Sequence, residues 1–306
     1  MVPTAHSDEH RLQEAQRLGD LVNGHPEHVD DALPQLLDLL AATEDPAVTQ
    51  AVIDALGNAW HPTASAAVLD NVSVDHPDAG VRLAVAQALP GGVDEPGDLF
   101  DCVVDALTQL TRDEEPRVRD WAATGLGQLE ARTPEVRDAL AVLLHDTDDD
   151  ARSEALVALA AAGDERALPV LRRRLDGDDG VFRLELVAAI ALAAPELHAA
   201  LQRLVEGWAE DEDELTDLAH AAVARTAPGA ARAAPQVEQN LLEQMSRLVP
   251  TARAALTGAY PRTVLVITDE DEGLDLPLWA DGERPDNYPT DDVLNAVGGS
   301  LTQPGE

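Results

Sequence analysis

An all-α fold, a solenoid of about six helical hairpins, is predicted by three observations: a phrase repeated six times at a near-constant period, an apolar stripe at helical spacing inside each copy, and a second amphipathic segment between copies. The phrase runs from an acidic residue through two turn residues to an apolar or Ala position, then along a small-residue-rich stretch to an aliphatic side chain. Taking the apolar position as zero, it starts at Val48, Val81, Val118, Ala151, Phe182 and Leu215, at gaps of 33, 37, 33, 31 and 33 residues. Units of that size bury their apolar faces only against their neighbours.

The elements follow in order. Asp8 to Val22 reads as an amphipathic helix, and Ala32 to Leu40 as the first helix of the opening hairpin. Each phrase then supplies a second helix. A carboxylate stands three residues before every start, at Asp45, Asp78, Glu115, Asp148, Asp179 and Glu212, where a helix N-terminus favours negative charge. Four residues after the start come Val52, Val85, Ala122, Ala155, Leu186 and Ala219, and eight after come Leu56, Leu89, Leu126, Leu159, Ile190 and Val223, which lays one stripe on one face. Seven after the start every residue is tiny (Ala55, Ala88, Gly125, Ala158, Ala189, Ala222), so this position is expected to face the adjoining repeat. The intervening helices are expected at Ala64 to Val74, Leu99 to Leu110, Val136 to Leu144, Ala167 to Leu175 and Leu197 to Trp208, joined by Pro- and Gly-bearing turns. The 37-residue gap marks an insertion around Pro90 to Gly97.

The organisation expected is 1–45 for the N-terminal helices, 46–226 for the array, 227–258 for a capping helix (Pro235 to Leu256) and 259–306 for an acidic, partly ordered tail. In that short C-terminal extension Thr263 to Ile267 is the one strong strand signal.

Phrases such as Asp148-Asp149-Asp150-Ala151-Arg152-Ser153-Glu154-Ala155-Leu156 and Glu115-Pro116-Arg117-Val118-Arg119-Asp120-Trp121-Ala122 resemble HEAT repeats, in the short form shared with the phycobilin-lyase type. The resemblance covers about residues 30 to 226 and implies a right-handed α-solenoid. In that family the turn carboxylate and helix Arg stack into an ion-pair ladder. This implies structural roles for Asp78, Arg82, Glu115, Arg119, Asp148, Arg152, Asp179 and Arg183. Thr49 and Thr216 replace the Arg at the two ends of the array, as terminal repeats should differ.

Composition narrows function. With 58 acidic and 21 basic residues the net charge is -37, and every basic residue is Arg. Such a surface repels phosphate backbones, so direct nucleic-acid binding and the DNA-glycosylase branch of HEAT-like proteins are excluded from the reading. The charge fits either salt adaptation or an acidic face for a basic partner. One cysteine, Cys102, within an apolar helical run, suits a reducing compartment. No apolar stretch approaches the roughly 20 residues that span a bilayer, so a cytoplasmic protein off the membrane is expected.

Candidate chemistry is sparse. None of the nine His is followed by Glu, which removes the di-iron pattern of HEAT-built hydroxylases. His6 with His10, and His25 with His28, place imidazoles at helical spacing without a third ligand fixed by the sequence, so no metal is assigned. No phosphate loop or nucleophile motif occurs, so no catalytic residue or cofactor is assigned. Arg172-Arg173-Arg174 is a basic island, read as solvated Arg pairing with neighbouring acids.

The second helices are expected to line the concave face. There the positions off the apolar stripe give candidate partner-binding residues Asp54, Gln87, Asp120, Trp121, Thr124, Glu154 and Glu185. Trp121 stands where other repeats have Ala, Glu or Leu, and fits either an interface anchor or a filler beside Gly125. The reading is a non-enzymatic scaffold or adaptor, monomeric, for an electropositive protein partner. The alternative is a lyase or chaperone-like factor for a cofactor or chromophore.

Overall fold

The computed structural model describes residues 5–23, 25–93, 96–177, 181–208, 214–228, 241–242, 253–257, 264–268 and 273–277. They fall into two compact units, 1–164 and 165–306. The first holds α1 (Ala5–Val22), α2 (Val29–Ala41), α3 (Pro46–Gly57), α4 (Pro62–Asn71), α5 (Ala79–Ala88), α6 (Asp98–Leu110), α7 (Pro116–Gln128), α8 (Pro134–Leu143) and α9 (Asp149–Ala161). The second holds α10 (Ala167–Leu175), α11 (Arg183–Leu192), α12 (His198–Gly207), α13 (Glu214–Thr226) and strands β1 (Arg253–Thr257), β2 (Val264–Thr268) and β3 (Gly273–Pro277).

The six repeated phrases each form the second helix of a hairpin, as the period requires: α3, α5, α7, α9, α11 and α13 pack on α2, α4, α6, α8, α10 and α12. In the first unit this makes two layers, with α1, α3, α5, α7 and α9 packed in sequence and α2, α4, α6 and α8 behind them. Helix starts follow from local chemistry. The Asp45, Asp78 and Asp148 carboxylates accept the N–H groups of Ala47, Val81 and Ala151, and Pro46, Pro62, Pro116 and Pro134 open their helices without losing a needed donor. The residues four after each start are completely buried, from Val52 to Ala219.

In the first unit the tiny residues seven after the start, Ala88, Gly125 and Ala158, face the neighbouring repeat, and the partner of each is the residue nine after the preceding start. A Cβ on Gly57 would lie 3.0 Å from the Ala88 Cβ, and one on Gly127 would lie 3.4 Å from that of Ala158. Where the ninth position is the bulky Pro90, the facing seventh position is Gly125.

The ion-pair ladder exists with different acids from those the resemblance implied. Arg82 donates through Nε and an Nη to the Asp113 carboxylate at 2.6 and 2.8 Å, and Arg119 to that of Asp146 at 2.7 and 2.6 Å. Asp113 and Asp146 stand two residues before Glu115 and Asp148. They also accept the N–H of those residues, so each carboxylate shapes its own turn while receiving the Arg of the previous repeat. Each Arg additionally donates to carbonyls of its own turn, Arg82 to His76 and Arg119 to Asp113. Asp78 and Asp148 are helix caps instead, and Arg152 bonds Asp149 and the Asp146 carbonyl. Asp179 lies outside the described residues.

The C-terminal extension differs from the expectation of one strand after a long helix. β2 is the middle strand of a three-stranded antiparallel sheet ordered β1-β2-β3, with Ala255 opposite Val266 and Val266 opposite Asp275. The last residues assigned to the capping helix, Arg253 to Leu256, are in β1, while Leu241 and Leu242 are helical. The reason is physical: an apolar strand exposes donors and acceptors on both edges. Pairing to satisfy them overrides the helix preference of an Ala-rich segment.

Candidate functional site

Three of the candidate residues, Asp54 on α3, Gln87 on α5 and Trp121 on α7, line one cavity of about 280 Å³ in the first unit. Gly57, Ala84 and Ala88 provide apolar wall, and Asn58 and Gln128 add amide groups. The insertion signalled by the 37-residue gap builds the remaining wall with Pro90 and Gly91. Its position is fixed by the buried Ser65 hydroxyl, which donates to the Gly91 carbonyl at 2.8 Å.

Trp60 completes the cavity and was missed by sequence reasoning. It falls in the turn after α3, outside the repeated phrase, so its place in the repeat carried no signal. Its side chain is 67% exposed and its φ of 45° is left-handed. Gly92, at φ 71°, lets the insertion pass close to it, since a Cβ there would lie 2.6 Å from the Trp60 carbonyl carbon and oxygen. Trp121 itself is half-buried and lines the cavity.

Asp120, Thr124 and Glu154 do not line this cavity; they lie on α7 and α9, which pack against each other. The Thr124 hydroxyl contacts the Asp120 carbonyl at 3.1 Å and the Glu154 carboxyl. Burial, with Glu154, Asp150 and Asp148 nearby, pushes the Asp120 carboxyl up to about 6. Burial raises Glu154 as well, with Asp150 adding to it and Thr124 opposing it. Asp54 is exposed at the cavity rim and is still raised by desolvation. Among the described residues, no ion pair or side-chain hydrogen bond is formed by the carboxylates of Asp54 or Asp120. In the turns the opposite holds: burial opposes charge on Asp113, yet Arg82 and the Glu115 N–H hold it below its ordinary range, and Arg119 does the same for Asp146.

Glu185 is a correction. Its side chain is 3% exposed, bonded to Arg174 and accepting the Phe182 N–H at 2.9 Å at the start of α11. It closes a turn and is not available to a partner. The basic island accordingly splits: Arg174 is engaged by Glu185 and stands 5.7 Å from the Phe182 ring, while Arg172 and Arg173 are exposed.

Cys102, expected on an apolar face, is exposed on α6 and does not line the cavity. His25 and His28 come together with Glu27, which sequence reasoning did not single out; their ligand atoms lie within 4.8 Å of one another in an exposed turn. His6 lies where no side chain is described. No helix among the described residues is long and apolar enough to cross a membrane.

Residues 104–193 match the family described as HEAT repeats. The fold is similar to the X-ray structure of YIBA of E. coli, at TM-score 0.55 and 20% identity, over 66% of this chain and 70% of that one. It is also similar to an engineered protein, at TM-score 0.50 and 22% identity, over 77% of this chain and 69% of that one. No curated protein sequence matches the chain significantly.

Proposed function

We propose that this HEAT-repeat chain is a non-enzymatic scaffold, monomeric and cytoplasmic, whose α3–α5–α7–α9 layer holds a protein partner with an electropositive surface. The observation that carries the reading is the contrast in how acids are matched. Turn acids Asp113 and Asp146 each receive a guanidinium, whereas Asp54 and Asp120 on this layer receive none and are held partly desolvated. A partner's cations would relieve that cost, and the net charge of -37 would steer the encounter. The half-buried Trp121 supplies an apolar anchor beside the acids. The lyase or chaperone-like alternative needs a pocket with a defined acid or nucleophile; Cys102 does not line this cavity, and Asp54 is the acid that does.

Affinity capture from native lysate tests this. Wild type should retain a partner at low salt and lose most of it as ionic strength rises through about 0.15 M, and Trp121→Ala/Glu154→Arg should recover less. Equal recovery by both proteins, or indifference to salt, contradicts the reading.

A further inference from the structure

We propose that the cavity between Trp60 and Trp121 is a recognition pocket for a single arginine side chain presented by a basic segment of the protein partner. The inference rests on the scaffold reading and specifies which group enters which place.

None of the residues lining the cavity is basic, and its one ionisable group is the carboxylate of Asp54. Two indoles, Trp60 and Trp121, line the space, and an indole attracts a cation to its π system, a guanidinium more than an ammonium because it is planar and weakly hydrated. Asn58, Gln87 and Gln128 add amide oxygens, so several acceptors surround one space. A guanidinium carries five donors in a fixed fork and can use several acceptors at once, whereas a lysine ammonium loses more hydration for fewer directed bonds. Ala84, Ala88 and Pro90 form apolar wall suited to the methylene stem. The volume of about 280 Å³ holds one long side chain rather than a folded element. The insertion shapes the site: it brings Pro90 and Gly91, and Gly92 permits the close pass against Trp60.

The test is titration of the full chain, followed by tryptophan fluorescence and calorimetry, with a Gly-Ser peptide bearing evenly spaced arginines and with its lysine twin. Wild type should prefer the arginine peptide by about tenfold. Trp60→Ala and Asp54→Asn should bring that ratio close to one with an unchanged thermal melt, since both side chains are exposed. An equal affinity for both peptides, lost at higher salt, overturns the arginine pocket and leaves the acidic-face reading standing. A preference that survives in Trp60→Ala overturns the pocket too. Agmatine binding as tightly as the peptide would reassign the site to a free small cation and overturn the commitment to a protein side chain. If neither peptide binds at low salt, the acidic-face reading fails with it.

Discussion

A Cβ placed on Gly125 would lie 2.8 Å from Pro90 Cγ and 3.1 Å from Leu107 Cδ1, so the smallest residue of α7 lies under the bulkiest residue of the facing position. The pair shows how the array absorbs its insertion: the repeat keeps its packing by exchanging the sizes of two contacting side chains. Gly125→Ala is therefore expected to cost about 1–3 kcal/mol in chemical denaturation. Adding Pro90→Ala should recover part of that loss, because the relieved clash is the cause.

The ladder acids predict a different ranking from the caps. Asp146→Ala removes the partner of Arg119, whose side chain is 13% exposed, and is expected to cost about 3 kcal/mol. Replacing the Asp148 cap should cost only about 1 kcal/mol. A double-mutant cycle between Arg119 and Asp146 should show coupling of about 1–3 kcal/mol.

Stability should pass through a maximum in mild acid. Asp120 is raised, so the folded chain binds its proton first, and acidifying from neutral through pH 6 favours folding. Asp113 and Asp146 are depressed, so their contribution is present above the ordinary carboxylate range and is lost as pH falls below about 4. Asp120→Asn should accordingly stabilise at pH 7 by about 1–2 kcal/mol after solvent screening, with the gain shrinking as pH falls through about 6. Denaturation midpoints across pH check both limbs.

Glu185→Gln separates structure from binding. Losing the charge that faces Arg174 should destabilise the second unit by about 2 kcal/mol. Recovery of a partner by the first unit's face should be unchanged, measured below the variant's melting temperature.

The helical hairpins were legible because each position of the phrase repeats one physical demand six times, from the Asp78 cap to the buried Val85 and the tiny Ala88. Asp113 and Asp146 were less visible, since they lie outside the phrase among many acids and only a three-dimensional contact tells a ladder carboxylate from a cap. Glu185 read as a surface acid because helical spacing cannot reveal that Arg174 covers it. Trp60 escaped because it lies in a turn outside the repeated phrase, and only the fold brings that turn against the insertion that carries Pro90 and Gly91. Of the strands beside β2, β1 was hidden by its Ala-rich composition and β3 by its Gly, Asp and Pro.

The most direct measurement of the central claim compares two variants of equal net charge in partner capture at low salt. One reverses Asp54, Asp120 and Glu154 to Arg on the α3–α9 layer; the other reverses Asp101, Asp105 and Glu135 to Arg on α6 and α8. The account predicts that the first loses the partner and the second keeps it. Equal loss, or loss only in the second, would contradict the assignment of binding to that layer.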